Sequence, residues 1–170
     1  MTVWRTINGD VLNQGDLLRA ILIPNVLDTF PILDAAGNLP VEAVTADVII
    51  VSQSCDLVNH KLPFVLVAQT FTVDEFETKN PDYKKGKWNF VAQGRIPALH
   101  LIACPEKSDD SRKHVVVDFR LLATVPFEYV QRVAKDAGER WRLQPPYLEA
   151  FSQAFGILFS RVALPENIRM

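Results

Sequence analysis

The sequence predicts an α+β protein in which a small curled antiparallel sheet or β-barrel is covered by two C-terminal helices. Three observations support this fold class. Short apolar runs separated by turn residues occupy most of the first 125 residues, as in a series of β-strands. Sustained helical periodicity begins only after Pro126. Strands that precede helices along one chain favour an α+β arrangement over alternating strand and helix units.

Composition predicts one compact domain. The chain has 170 residues, 48% of them hydrophobic, which is enough to bury a core. We expect a single domain over residues 1–170, with a mainly β core at 1–125 and a helical extension packed on it at 126–170. The formal charge of −2 does not indicate a nucleic-acid or membrane-surface binder. Two cysteines, no signal-like N-terminus and no long apolar span predict a cytoplasmic protein without a membrane partner.

The first strands are predicted from apolar runs. Leu17–Ile23 follows a turn and ends at a proline, so it is the first main strand. The connection after it is expected to contain short strands at Phe30–Leu33 and Val41–Val44, with a turn at 34–38. Val48–Val51 is uninterrupted and β-branched, which predicts a central strand buried on both faces.

The remaining strands and a short helix follow from the same patterns. Phe64–Val73 is rich in β-branched and aromatic residues and predicts a long strand. Asp74 is expected to cap a short helix at Glu75–Lys79. Two further apolar runs on either side of a polar loop predict a hairpin, whose second strand is continued or followed by residues 121–124: Ala98–Cys104 and His114–Phe119.

Two helices are predicted near the C-terminus. Apolar spacing from Phe127 to Ala137 follows Pro126 and ends before a glycine, as expected for a helix. A second helix is predicted from about Pro146 to Ala163. Its phenylalanine-rich stripe is typical of core packing, and it would also suit a homodimer interface.

Five polar or reactive side chains follow the central strand: Ser52, Gln53, Ser54, Cys55 and Asp56. A rigid strand is expected to present them at the rim of the sheet, where functional sites are commonly built. Cys55 with Asp56 and His60 is the sharpest local cluster, because a thiolate needs a nearby cation or helix terminus. The structural alternative is a small buried thiol at Cys55 and a turn cap at Asp56.

Three short features of the chain form one pattern: Gly15-Asp16 precedes an apolar strand, a buried strand ends at Ser52, and another apolar strand begins at Phe64. This pattern resembles the PemK/MazF family of toxin-like SH3-type barrels. The resemblance covers the first half of the chain and implies an SH3-like barrel. It also implies that the strand end at Ser52 lies near an RNA-cleaving site.

The chain departs from that family where a catalytic arginine is expected. The family has an Arg-Pro pair before the strand that ends in serine, and residues 45–47 are Thr-Ala-Asp here. Ser52 is the residue that carries over, and Arg19 would replace the cation if the fold brings it near. Fold resemblance alone does not establish function, so a barrel without cleavage activity fits equally well.

Three functional hypotheses follow. The first is a binding module of the toxin-like barrel class that contacts protein or RNA through the end of the Asp47–Ser52 strand, in a prokaryotic toxin–antitoxin or defence setting. The second is an endoribonuclease. In this hypothesis Arg19 would stabilise the phosphate, and Ser52 or Ser54 would position it. Asp56 or His60 would move the proton. The third and weakest is an enzyme that depends on Cys55.

The most basic stretch is residues 79–95, which could bind a phosphate backbone through lysines and stack a base on an aromatic ring: Lys84, Lys85, Lys87 and Trp88. The alternative is a solvated loop anchored by its aromatic residues. A zinc site formed by Cys55, His60, His100 and Cys104 fails on a strand at 98–104, because its last two ligands would lie about 13 Å apart. We predict no metal and no cofactor.

Overall fold

The computed structural model describes residues 2–25, 37, 42–106 and 108–160 of the chain. It confirms an α+β protein with one antiparallel sheet and several helices. The predicted strand at Phe30–Leu33 and, apart from Gly37, the turn at 34–38 lie outside the described residues. Residues 161–163 of the second predicted helix do so as well.

Seven strands form the sheet in the order β1-β7-β2-β3-β4-β6-β5. Every pairing in this sheet is antiparallel. The strands are β1 (Trp4–Ile7), β2 (Asp16–Asn25), β3 (Glu42–Ile50), β4 (Phe64–Thr72), β5 (Leu99–Ile102), β6 (Val115–Pro126) and β7 (Arg140–Leu143).

Five α-helices are described: α1 (Ser54–Val58), α2 (Val73–Lys79), α3 (Trp88–Ala92), α4 (Phe127–Ala137) and α5 (Tyr147–Phe159). Two short 3₁₀ helices lie at Pro81–Lys85 and Ser111–Lys113. Within the described part of the chain, no helix has the length and apolar character needed to cross a membrane.

Several local predictions are corrected by the structure. The cap of α2 is Thr72 and not Asp74, because Thr72 and Glu75 form a reciprocal capping box. Strand β3 begins at Glu42 and includes residues 42–44 of the short strand predicted at 41–44, whereas Val41 lies outside the described residues. The edge strand β1 and the strand β7 between the two C-terminal helices were not predicted, because each has only four residues, and arginines interrupt both.

The sheet is curled around a core to which every strand contributes. Trp4 Nε1 on β1 donates a hydrogen bond of 2.7 Å to the carbonyl oxygen of Ala103, just after β5, so the two edges of the sheet approach each other. Those edges do not pair as strands within the described residues, so the sheet is open and not a closed barrel. The shared concave core contains, from β1 to β7, Trp4, Leu17, Ile49, Ala68, Ile102, Val117 and Leu143.

Helices cover both faces of the sheet. Phe151 of α5 is fully buried in the concave core, where its ring contacts Phe119. On the convex face, α1 and α4 bury Leu57 and Val130 against the sheet. Burial of alternate β3 residues in these two cores confirms that the central strand is covered on both sides.

A buried ion network fixes the start of β2. Asp16 is completely buried and accepts hydrogen bonds from Arg140 Nε at 3.2 Å and from Arg142 Nη2 at 2.8 Å. Arg142 also donates to the carbonyl oxygen of Val11 at 2.8 Å. Gly15 has a φ of +81°, and a Cβ there would lie 3.0 Å from Leu143. The turn before β2 is therefore locked to β7.

His100 makes the stability of the fold depend on pH. Burial beside the rings of Phe119 and Phe151 lowers the pKa of His100 from 6.5 to about 4. Between these two pH values the unfolded chain binds a proton that the folded chain does not, so stability falls as pH falls from 6.5 towards 4. Because each pKa unit corresponds to about 1.4 kcal/mol, the loss approaches about 3 kcal/mol.

Urea unfolding at a series of pH values measures this effect. The His100→Phe variant should lose most of the pH dependence between pH 6.5 and 4 that the wild type shows. His60→Gln is the matched control, since His60 is exposed, and it should behave as the wild type. Equal pH dependence in the wild type and in His100→Phe would contradict the assignment.

Candidate functional site

A cleft lies at one end of the concave face. We name it the mouth groove and define it by six of its lining residues: Arg19, Asp47, Thr70, Glu75, Glu106 and Lys113. Its volume is about 500 Å³, which is within the usual range of binding sites. Leu17 and Val115 line the groove and also belong to the concave core. The groove is therefore a polar continuation of that core.

A bulge in β2 forms one side of the mouth groove. Its register against β3 shifts between Leu18 and Ile21, and Ala20 has a φ of +51°. This left-handed conformation costs a non-glycine residue about 1 kcal/mol. The Ala20 amide donates a hydrogen bond of 2.8 Å to Asp47 Oδ1, which holds the strained residue in place. Such bulges are over-represented near functional sites.

Strands β3 and β4 separate beside the groove. Only Asp47–Ile50 of β3 pairs with β4, whereas Glu42–Ala46 pairs with β2 alone. A second cleft in this fork is lined by Thr45, Gln69 and Phe71. It shares Asp47, Thr70, Phe71 and Glu75 with the mouth groove, so the two form one continuous depression.

The outer edge of β3 exposes backbone groups to this fork. The Val51 amide donates to Leu66 of β4, and the Ile50 carbonyl accepts from Gly15 on the opposite side. The N–H and C=O groups of successive residues in a strand point to opposite edges of that strand. Those of Ala43 and Thr45 therefore point to the same edge as those of Val51. That edge faces β4 at Val51 and faces the fork at Ala43 and Thr45. Ala43 and Thr45 are both exposed, and the paired part of β4 does not reach them.

An ion pair crosses one end of the mouth groove. Arg19 of β2 pairs with Glu106, which follows β5 in the chain, and both side chains are about half exposed. The buried Cys104 thiol donates a hydrogen bond of 3.1 Å to Glu106. Burial acts to raise the pKa of Glu106, but hydrogen bonds from Cys104, the Glu106 amide and Arg19 outweigh it and lower that pKa.

Two acids of the depression accept hydrogen bonds, whereas two of its lysines have no ionic partner among the described residues. Glu75 is held by the Thr72 amide and hydroxyl, and Asp47 by the Ala20 amide. Lys79 lies 4.5 Å from the centre of the Phe71 ring. Neither Lys79 nor Lys113 forms an ion pair with any of the described residues. The depression is lined by three basic and three acidic residues and has no net charge, but its two lysines can each pair with an added carboxylate.

The serines predicted as site residues have structural roles. Ser52 Oγ accepts a hydrogen bond of 2.8 Å from the Leu66 amide, and Ser54 Oγ accepts one of 3.1 Å from the Gln14 amide. Ser54 also begins α1, so the segment that was expected to extend from the strand forms a short helix. These hydroxyls join the loop after β3 to its neighbours.

Cys55 and Asp56 lie on α1 and His60 follows it, and the three side chains have different neighbours. The Cys55 thiol is exposed and has no hydrogen-bond partner among the described residues. Asp56 lies 3.7 Å from Lys61, and the His60 ring lies 4.9 Å from the ring of Phe127. No hydrogen bond or ion pair joins these three side chains within the described part of the chain.

Arg19 is also separated from the predicted nucleophile and acid–base residues. It lines the mouth groove, whereas none of the other candidates lines that groove. Its described ionic partner is Glu106 and not a residue of the strand end. The ribonuclease arrangement predicted from Arg19, Ser52, Ser54, Asp56 and His60 is therefore not assembled in this structure.

The basic stretch is mostly an anchored helical segment and not a loop. Trp88 Nε1 donates a hydrogen bond of 2.8 Å to Glu77, and its ring packs against Phe76. Lys87 lies 5.2 Å from the centre of the Tyr83 ring. Lys84 and Lys85 are exposed. Because the Trp88 ring packs against Phe76 and its N–H is hydrogen-bonded to Glu77, it is poorly placed to stack on a nucleic-acid base.

Comparisons of the chain with family models, curated proteins and solved structures found no match. The resemblance to PemK/MazF toxins therefore stays a prediction. The functional argument depends on the geometry of the mouth groove and of the fork beside it.

Sequence reasoning missed most of the residues that form this depression. Asp47 was read only as the start of the central strand, and Thr45 only as a departure from a family pattern. Glu106 and Lys113 were assigned to a polar loop. One signal was available: Asp47 directly precedes the apolar run Val48–Val51, and aspartate is depleted in strands.

The two cysteines should differ in reactivity. Cys55 is exposed, whereas burial first and the hydrogen bond to Glu106 second raise the pKa of Cys104. We expect Cys55 in the native protein to react with a thiol reagent such as Ellman's reagent at least about tenfold faster than Cys104. Cys55→Ser should remove the fast phase, and Cys104→Ser should leave it intact. Equal rates would contradict the observed burial.

Proposed function

We propose that this protein is a binding module that holds an extended segment of a protein partner along the free edge of β3. The fork between β3 and β4 is the observation that carries the proposal. An extended peptide can add to an exposed strand through main-chain hydrogen bonds, and neighbouring clefts then select its side chains.

Within the described part of the chain, no strand pairs with this edge, and the edge carries no lysine or proline. Natural sheets protect such edges with lysine, proline, short strands or a covering element. Ala43 and Thr45 are small and uncharged, and both are exposed. The adjoining mouth groove gives the side chains of an added strand a place to bind.

Two lysines favour a partner segment that carries acidic side chains. Lys79 and Lys113 line the depression and have no ionic partners in its described surroundings. A strand with acidic residues at alternate positions would present several carboxylates to one face. A contact with either lysine would be screened by salt, so affinity should fall as ionic strength rises.

The endoribonuclease hypothesis has less support. Arg19, which would bind the phosphate, is paired with Glu106. The hydroxyls of Ser52 and Ser54 accept hydrogen bonds from backbone amides. We expect intact RNA after long incubation with the purified protein. We also expect Arg19→Ala to leave that result unchanged. RNA cleavage that Arg19→Ala abolishes would favour the ribonuclease hypothesis and count against the binding module.

A matched pair of substitutions tests the proposed edge. Thr45→Pro removes the backbone N–H that faces the fork and adds a ring where a partner strand would approach, whereas Thr45→Ala keeps the N–H. Proline is tolerated on a strand edge when its nitrogen faces outward, so both variants should fold. Ala43→Pro and Ala43→Ser form a second pair if Thr45→Pro does not fold.

Two measurements use these variants. Fluorescence anisotropy with a labelled octapeptide of alternating valine and glutamate should show binding to the wild type and to Thr45→Ala. Binding to Thr45→Pro should be weaker by about tenfold or more, because a hydrogen bond is lost and a clash is added. An octapeptide of valine and lysine should bind less tightly. In affinity capture from a native extract, a protein partner retained by Thr45→Ala should be lost with Thr45→Pro.

Other outcomes would reject the proposal. Equal binding of the peptide to Thr45→Pro and Thr45→Ala would show that the β3 edge is not used. Capture of RNA that ribonuclease treatment releases would show that the partner is a nucleic acid and not a protein segment.

A further inference from the structure

Another cleft lies between the C-terminal turn of α4 and the beginning of β7, and it shares Leu17, Arg19 and Glu106 with the mouth groove. Its volume is about 350 Å³, which is large enough for a small organic molecule. One wall of the cleft is apolar and contains Leu17, Leu18, Val133 and Trp141. Charged residues at its rim decide which ligand charge the cleft accepts.

The two arginines of this cleft do not offer a free positive charge. The side chain of Arg140 is only 2% exposed, and its Nε donates to Asp16 at 3.2 Å. Its Nη2 donates to the carbonyl oxygen of Val11 at 2.7 Å. Arg19 is paired with Glu106. Arg140 shares the carboxylate of Asp16 with Arg142, and its N–H donors are taken up by Asp16 and by backbone carbonyl oxygens.

The free charge at the rim is negative. Glu139 is exposed and forms no ion pair or side-chain hydrogen bond with the described residues around it. Ala137, the last residue of α4, also lines the cleft, and carbonyl groups at a helix C-terminus carry partial negative charge. Lys135 and Asp136 in the same turn offset each other. Glu139 is therefore the exposed charged residue of this lining that has no ionic partner among the described residues.

We infer that this cleft binds a small amphipathic organic cation. Glu139 pairs with the ammonium group, and the half-buried indole of Trp141 offers an aromatic face to it. Leu18 and Val133 contact the hydrocarbon part of the ligand. The same chemistry is offered by a free amine and by the side chain of a lysine in another protein. This inference is independent of the strand-addition proposal.

Isothermal titration calorimetry of the full chain tests the inference with three probes. Phenethylammonium represents a free amine, and Nα-acetyl-lysine methylamide represents a protein lysine. Phenylpropionate has a similar hydrocarbon body and the opposite charge. We expect saturable binding of at least one cation at millimolar concentration and weaker or no binding of phenylpropionate. The tighter of the two cations identifies the source.

Two variants assign the contacts. Glu139→Gln should weaken binding of phenethylammonium by about fivefold, since it removes one partly exposed charge pair. Glu149→Gln is the control, because Glu149 is exposed on α5 and does not line the cleft. Trp141→Leu should also weaken binding of phenethylammonium, because it removes the aromatic ring but keeps the wall of the cleft apolar. Tighter binding of phenylpropionate, or equal affinities for Glu139→Gln and Glu149→Gln, would overturn the inference.

Discussion

Asp16→Asn is expected to lower the free energy of unfolding by about 3–5 kcal/mol, because it leaves two buried guanidinium groups without their anion. Asp16 is fully buried and binds both Arg140 and Arg142. The amide has nearly the same shape as the carboxylate, so the change isolates charge from volume. Urea unfolding followed by tryptophan fluorescence measures the effect.

The control for this prediction is Asp109→Asn. Asp109 is exposed and forms no ion pair with the described residues, so its amide variant should change stability by less than about 0.5 kcal/mol. Equal stability of Asp16→Asn and Asp109→Asn would mean that the network does not hold the turn before β2.

Phe151→Ala should destabilise the fold by about 3–5 kcal/mol, since it opens a large cavity under α5. The Phe151 ring is completely buried, with its centre 5.7 Å from that of Phe119 and 6.0 Å from that of His100. This substitution tests whether α5 closes the concave core.

The same helix supplies a matched control. Phe159 is 58% exposed, so Phe159→Ala should cost much less, about 1 kcal/mol or below. Thermal unfolding should therefore separate the two alanine variants by many degrees. A comparable loss in both would show that α5 is not seated through Phe151.

The periodic elements were predictable from the sequence because burial sets their pattern. The β-branched run at Val48–Val51 predicted a strand covered on both faces, and its residues do lie in two opposite cores. The spacing from Phe127 to Ala137 predicted α4 with the observed bounds. The four-residue strands β1 and β7 were not predictable, because they are stabilised by distant partners and not by local preference.

The candidate site was harder to predict, because it depends on register and not on motifs. The sequence drew attention to Ser52–Asp56, whose hydroxyls instead complete backbone hydrogen bonds. The fork exists because β3 pairs with β4 only from Asp47 onward, a property of pairing between residues distant in sequence. The ion pair of Arg19 with Glu106 spans 87 positions in the chain, so local spacing gives no sign of it.

Amide hydrogen exchange at Ala43 and Thr45, followed by NMR with and without the valine–glutamate octapeptide, tests the central claim most directly. Both amides face the fork, so they should exchange rapidly in the free protein. The octapeptide should slow their exchange by about tenfold or more, while Thr45→Pro should weaken that protection at Ala43. Unchanged exchange at both amides, at peptide concentrations that saturate binding, would contradict strand addition at β3.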